Sequence, residues 1–143
     1  MEVDAWLAAS AVRVLTYHNT DHRSAQHIAA HGVDIARCRV GTYGQGFYTA
    51  TQPDPFFGEV ELTVAVRLVA PLRGNDDYVG QFIDRIAEQH AAPGGRLTPE
   101  VGRSVRRELL RLGYDGIVVE NVDGEGIDYV IALEERAVKV VRP

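Results

Sequence analysis

Gly44-Gln45-Gly46-Phe47-Tyr48-Thr49-Ala50-Thr51 is the stretch on which the reading of this chain turns. Two glycines, two residues apart, lead straight into a short aromatic run. Glycine supplies the backbone freedom that a bend or a close ligand approach requires. Phe47, Tyr48 and Thr49 favour extended backbone, so the chain continues from the bend as a strand. Tyr48 then stands at the mouth of a glycine bend, where a flat ligand can lie against its ring. Read alone, a Gly-x-Gly before a strand is a turn. What gives it weight is the sequence on either side.

Upstream, Val3, Trp6 and Leu7 fall on one helical face, so residues 2–10 read as a short amphipathic helix. Val12 to His18 follow as a strand, with Val12, Val14 and Thr16 on one side and Arg13, Leu15 and Tyr17 on the other. His18 closes it. Asp21 or Ser24 caps the next helix, Ala25, Ile28 and Ala29 form its inner stripe, and Gly32 ends it. Residues 33–43, mixed in character and carrying two arginines, read as a loop into the glycine bend.

Downstream, Pro53 and Pro55 break the chain before Phe56 and Phe57. Val60, Leu62, Val64, Val66 and Leu68 then alternate with Glu59, Glu61, Thr63, Ala65 and Arg67, the pattern of a half-buried strand. Tyr78, Phe82, Ile83, Ile86 and Ala87 recur at helical spacing, and Pro93-Gly94-Gly95 reads as a loop. Thr98-Pro99-Glu100 opens a second helix with a capping residue and a first-turn proline. Val101, Val105, Leu109 and Leu112 face inward, and Gly113 stops it. Ile117–Glu120, Ile127–Leu133 and Ala137–Val141 read as three closing strands. Strands and helices mix without regular alternation, so the class is α+β rather than a doubly wound parallel sheet.

The 143 residues fit a single domain spanning 1–143, long enough to bury roughly 70% of the unfolded surface. No internal repeat or low-complexity segment interrupts it. No apolar run approaches the ~20 residues of a membrane span, and no charged segment followed by an apolar core marks a signal peptide. The single cysteine, Cys38, excludes an internal disulfide framework and fits a reducing compartment. A cytoplasmic protein is expected, or a domain of a larger exported one. The net charge of −5 argues against broad binding to a nucleic-acid backbone. Arg103, Arg106, Arg107 and Arg111 cluster locally, and on a helix they spread over a solvated face. His27 and His31 form an i,i+4 pair that can hold zinc. No acidic or sulfur partner sits at a matching spacing, so no metal site is expected there.

Three pieces then fall in order: Tyr17-His18-Asn19-Thr20 at the end of a strand, Gly44-Gln45-Gly46-Phe47-Tyr48 at the bend, and Gly113-Tyr114-Asp115-Gly116-Ile117-Val118-Val119 followed by Ile127-Asp128-Tyr129-Val130-Ile131-Ala132-Leu133. Over residues 12–141 this resembles the ADP-ribosyltransferase family, on the branch of diphtheria toxin and the poly(ADP-ribose) polymerases. That branch carries an early strand-end histidine, a tyrosine after a glycine bend and a late acidic residue. Most of its members have Glu at the acidic position. Here it is Asp128, as in some bacterial toxin-type members with a His-Tyr-Asp set, and its carboxylate is one methylene shorter.

The resemblance implies two small packed β-sheets forming an NAD cleft with flanking helices. It implies cleavage of NAD, as substrate, at the nicotinamide–ribose bond and transfer of ADP-ribose to a macromolecule. The catalytic set is His18, Tyr48 and Asp128. The NAD-binding set is His18, Asn19, Thr20, Gly46, Tyr48 and Phe57. Asp128 would stabilise the positive charge that builds on the ribose. His18 would bond the other ribose, Asn19 backbone groups would hold the nicotinamide amide with Thr20 in support, and Tyr48 would stack on the ring. Relatives place a second aromatic about eleven residues later. Position 59 is Glu, so Phe56 or Phe57 must substitute.

A protein acceptor and an immunity or antitoxin partner follow from the toxin-type reading, with a nucleic-acid acceptor left open. So does action in a bacterial cytoplasm or in the cytoplasm of a target cell. Gly126 stands where the arginine-modifying branch has Glu or Gln, which counts against an arginine acceptor. Read singly, His18 fits a structural histidine and Tyr48 a core residue, whereas an acid between Ile127 and Tyr129 needs a partner. Three alternatives remain: an NAD glycohydrolase, an RNA 2′-phosphotransferase, and a binding module without chemistry.

Overall fold

The computed structural model describes residues 3–90 and 97–142, so the loop expected at Pro93-Gly94-Gly95 lies outside the described residues. The elements run α1 (Val3–Leu7), β1 (Thr16–Thr20), α2 (His22–His31), β2 (Val40–Gly41), β3 (Gly44–Gln45), β4 (Phe47–Ala50), β5 (Val60–Val66) and β6 (Pro71–Gly74). They continue α3 (Asp76–His90), α4 (Pro99–Arg111), β7 (Gly116–Val122), β8 (Ile127–Ala132) and β9 (Val138–Arg142). The class is α+β. Seven strands make one sheet in the order β6-β7-β8-β4-β1-β5-β9, and β2 and β3 make a separate two-stranded ribbon. Among the described residues, only β6 and β7 pair in parallel.

The expected two small packed sheets are therefore corrected to one continuous seven-stranded sheet with a two-stranded ribbon beside it. The join is narrow, however: β1 and β4 share a single registered pair, Tyr17 with Ala50. By contrast β1 pairs with β5 over five positions, from Thr16–Val64 to Thr20–Val60. The sheet also folds back on itself. Leu68, just past β5, packs against Gly116 of β7, where a β-carbon would meet its methyls. Val118, Val130 and Ala132 then share a core with Leu62, Val64, Val66 and Phe47. On the opposite face of β7 and β8, Ile117, Val119, Ile131 and Leu133 meet Val79 and Ile83 of α3 and Val105 and Leu109 of α4.

Several boundaries differ from the sequence reading for local reasons. The strand expected from Val12 begins only at Thr16, which puts His18 in mid-strand. The Ser10 hydroxyl is the cause. It donates to Val66 O at 3.2 Å and accepts from the amides of Val12 and Leu68 at 3.1 and 3.0 Å, tying this segment to the end of β5. The helix expected over 2–10 is observed only as α1. Strand β5 is not half-buried: Thr63 and Ala65 are as enclosed as Leu62 and Val64. Leu112, expected to face inward, is exposed. Strand β6, which the sequence reading lacked, is a four-residue segment completed by its parallel neighbour β7.

Helix α4 forms as its sequence dictates. Thr98 caps it by accepting from Val101 N at 3.2 Å, Pro99 starts it, and Gly113 at φ +96 leaves it. Its bare Gly102 admits Val40 of the ribbon, and Gly44 (φ +101) rests on Val105. The glycine bend is thus seated on α4.

Candidate functional site

On β1, His18 is half-buried, and its ring stacks on Phe47 with centroids 4.1 Å apart and planes at 21°. Its Nδ1 lies 2.6 Å from the Tyr48 carbonyl oxygen, at the place where the β1–β4 ladder ends. A carbonyl only accepts, so Nδ1 carries the proton and Nε2 keeps its lone pair. Burial disfavours the imidazolium and lowers the His18 pKa, with the Tyr48 bond opposing in part. The group is held neutral, with Nε2 an acceptor for a ligand hydroxyl.

Tyr48 is fixed by both ends of its side chain. Its hydroxyl donates to Gly44 O at 2.7 Å and accepts from Tyr43 N at 3.0 Å. Its ring lies on Gly41, where a β-carbon would come within 2.6 Å. Burial raises the phenol pKa, so this hydroxyl is a donor and not a base. The neighbouring Tyr43 is buried, donates its hydroxyl to Asp76 Oδ1, and has its own pKa raised, first by burial and then by that carboxylate.

The Asn19 side chain bridges to the segment after β4. Its Oδ1 accepts from Asp54 N at 3.0 Å and its Nδ2 donates to Gly58 O at 3.3 Å. Within that segment Asp54 caps a single turn at Pro55–Phe57 by accepting from Phe56 N. Gly58, at φ +150, packs so tightly on the Thr20 backbone that no β-carbon fits.

These residues surround a cavity of about 1120 Å³ between α2 and the strands. That exceeds the roughly 300–1,000 Å³ of ordinary small-molecule sites. His18, Asn19, Thr20, Gly46, Tyr48 and Phe57 all line it. Gly46 also serves packing, since a β-carbon there would strike Ile131. Among the described residues that line the cavity, Asp128 is absent and its neighbour Tyr129 is present.

The two residues take opposite faces, but residues of both faces line the cavity, and what holds Asp128 away from it is its tie to the β7–β8 hairpin. Tyr17, Ala50 and Tyr129 lie in one row across β1, β4 and β8. Facing partners in a ladder share a side, and the next residue along takes the other. Tyr129 therefore projects with Tyr48, while Asp128 falls on the side of Val130, Phe47 and His18. The Asp128 Oδ1 accepts from Asn121 N at 2.9 Å, and its backbone exchanges bonds with Thr51 at 3.0 Å. Asn121 sits at φ +52 in an irregular β7–β8 hairpin, and its own Oδ1 accepts from Gly126 N at 2.7 Å. One Asp128 oxygen is thus committed to the hairpin.

The sequence reading had no signal for the α2 wall, which brings Arg23 to the cavity, nor for Arg37 and Arg39 beyond it. Arg37 pairs with Asp34 at 3.6 Å. The α4 arginines stand elsewhere: Arg106 donates to Leu133 O at 2.8 Å and Arg111 pairs with Glu108. A second cavity of about 490 Å³ adjoins His27, His31 and Glu135. Among the described residues no group of three or more His, Cys, Asp or Glu side chains is placed to hold a metal ion. Nor, among them, is any helix long and apolar enough to cross a membrane. Comparison with family models, with curated proteins and with solved structures finds no match to this chain.

Proposed function

We propose that the chain is an NAD-dependent mono-ADP-ribosyltransferase of toxin or effector type, breaking the nicotinamide–ribose bond and passing ADP-ribose to a protein. The observation that carries this reading is the neutral His18, its Nδ1 spent on the Tyr48 carbonyl and its Nε2 left to accept, in a cavity lined by all the expected NAD-binding residues. Nε2 would take a ribose hydroxyl. The anchored Tyr48 ring would stack on nicotinamide, a contact worth about 0.5–1.5 kcal/mol beyond burial. The exposed face of Phe57 would serve as the second aromatic. As nicotinamide leaves with the bonding pair, positive charge grows on the ribose carbon, and the free oxygen of Asp128 would offset it. The Asn19 side chain is spent on the Asp54–Gly58 turn, so only its backbone is free for the nicotinamide amide.

Two observations favour other readings. The commitment of Asp128 to Asn121, away from the cavity lining, favours a module that binds NAD without chemistry. Arg23, Arg37 and Arg39 at the cavity favour an RNA 2′-phosphotransferase more than the sequence did. The deciding experiment measures nicotinamide release from NAD by the wild type and by Asp128→Ala, with and without cell lysate. Release that needs Asp128 and lysate supports the transferase; release without lysate identifies a glycohydrolase. Tight NAD binding without release, or full release by Asp128→Ala, defeats the assignment. Phosphate transfer from a 2′-phosphorylated oligonucleotide replaces it with the RNA reading.

A further inference from the structure

Phe56 is 87% exposed and Phe57 60%, and the two rings meet edge to face with centroids 5.5 Å apart. Two adjacent phenylalanines in water are costly for a folded chain, and contiguous exposed apolar surface marks contact sites. Nor is this a loosely held corner. Asn19 grips it from both sides, Asp54 caps its turn, and Gly58 lies flat on Thr20 with no room for a side chain. Phe57 borders the cavity, whereas Phe56 is not among its described lining residues. A ligand in the cavity therefore leaves Phe56 uncovered.

We propose that the Phe56 corner is the docking anchor for a partner protein whose matching surface is an apolar pocket rimmed by lysine or arginine. The occupant follows from charge. Asp54 is two residues from Phe56, and Glu59 lies just beyond on the other side, answered at 3.6 Å by His22. Around Tyr129 of the cavity wall, Asp76 receives the Tyr43 hydroxyl, Asp123 and Glu125 stand in the preceding hairpin, and their charges act on that tyrosine together with that of Asp54. The chain as a whole carries −5. This acidic surround disfavours a second copy of the chain and attracts a basic polypeptide, while RNA, which the arginines of the cavity wall would draw, is the competing occupant that the test separates. A rigid aromatic in a polar, charged rim is the composition of an interface hot spot. The inference does not depend on NAD chemistry.

The test uses the full chain and fluorescence anisotropy of four labelled probes. They are an 18-residue amphipathic Lys/Leu helix, its Glu/Leu counterpart, a 12-nucleotide single-stranded RNA, and the chain itself, with sedimentation for the last. The expected result is binding of the Lys/Leu peptide alone, weakened at least tenfold by Phe56→Ser and unchanged by Tyr78→Ser, an exposed aromatic on α3. Both substitutions are on the surface, so folding is retained. The proposal is overturned by no Lys/Leu binding, by binding indifferent to Phe56→Ser, by preference for the Glu/Leu peptide or RNA, or by Phe56-dependent self-association.

Discussion

Helices α2 and α4 begin alike and end up doing different work. Each has a side-chain cap at its start, Asp21 for α2 and Thr98 for α4. Helix α4 buries Val101, Gly102, Val105 and Leu109, whereas α2 buries no residue completely. The cause is side-chain volume. The α4 stripe carries branched residues at every turn, and the α2 stripe is Ala25, Ile28 and Ala29. Ala25 and Ile28 give the core only a shallow contact, and α2 turns Arg23, Ser24, Gln26, His27 and Ala30 to the cavity of about 1120 Å³. One helix is a clamp on the core; the other is a wall.

The contrast can be broken most directly in the core. Leu109→Ala should cost about 2–5 kcal/mol in urea unfolding, through lost burial and the void left behind. Ile28→Ala, on the partly open α2 face, should cost clearly less. Equal costs would mean that α2 is packed as α4 is. A smaller effect is expected for Gly41→Ala, whose added carbon would lie 2.6 Å from the Tyr48 ring. Overpacking of this kind costs about 1–3 kcal/mol, and displacing the ring should weaken NAD binding in calorimetry. Unchanged affinity would remove Tyr48 from the site.

Acid provides a subtler probe. Burial lowers the His18 pKa below its ordinary 6.5. Between that value and the lower folded one, the unfolded chain holds more protons than the folded chain. Stability should therefore rise with pH across this window and fall as acid is added through it. His18→Asn should flatten the slope in denaturation series taken below pH 6.5. An unchanged slope would show that the imidazole is already open to water. The smallest effect belongs to Phe56→Ser, expected within about 0.5 kcal/mol of wild type because Phe56 is 87% exposed. A larger loss would place Phe56 among the supports of the cavity.

Elements whose pattern is local were legible in the sequence: α3 from helical spacing, α4 from helical spacing and its cap, β5 from alternation, β4 from its glycine entry. What was not legible depends on partners distant in the chain. Strand β6 has a proline at one end and a glycine at the other and extends only because β7 lies beside it. The start of β1 is set by the Ser10 hydroxyl reaching Val66. His18, Asn19, Thr20, Gly46, Tyr48 and Phe57, named by the family resemblance, all line one cavity. Asp128 does not line the cavity because its carboxylate accepts from Asn121 N in the β7–β8 hairpin, a contact without a local signal in the sequence. Tyr43 and the arginines Arg23, Arg37 and Arg39 reach the cavity through the packing of α2 and the ribbon.

The single rung between Tyr17 and Ala50 has a thermal consequence. Apart from that rung and the His18–Tyr48 hydrogen bond, the β1-β5-β9 half is bound to the β6-β7-β8-β4 half chiefly by apolar packing, such as Leu68 on Gly116. Backbone ladders hold each half internally, and burial of apolar surface is the term that weakens as water cools. The halves should then part before either one melts. Amide hydrogens of β1 near the rung would exchange ahead of those in β7 and β8, and their protection would shrink further toward 0 °C.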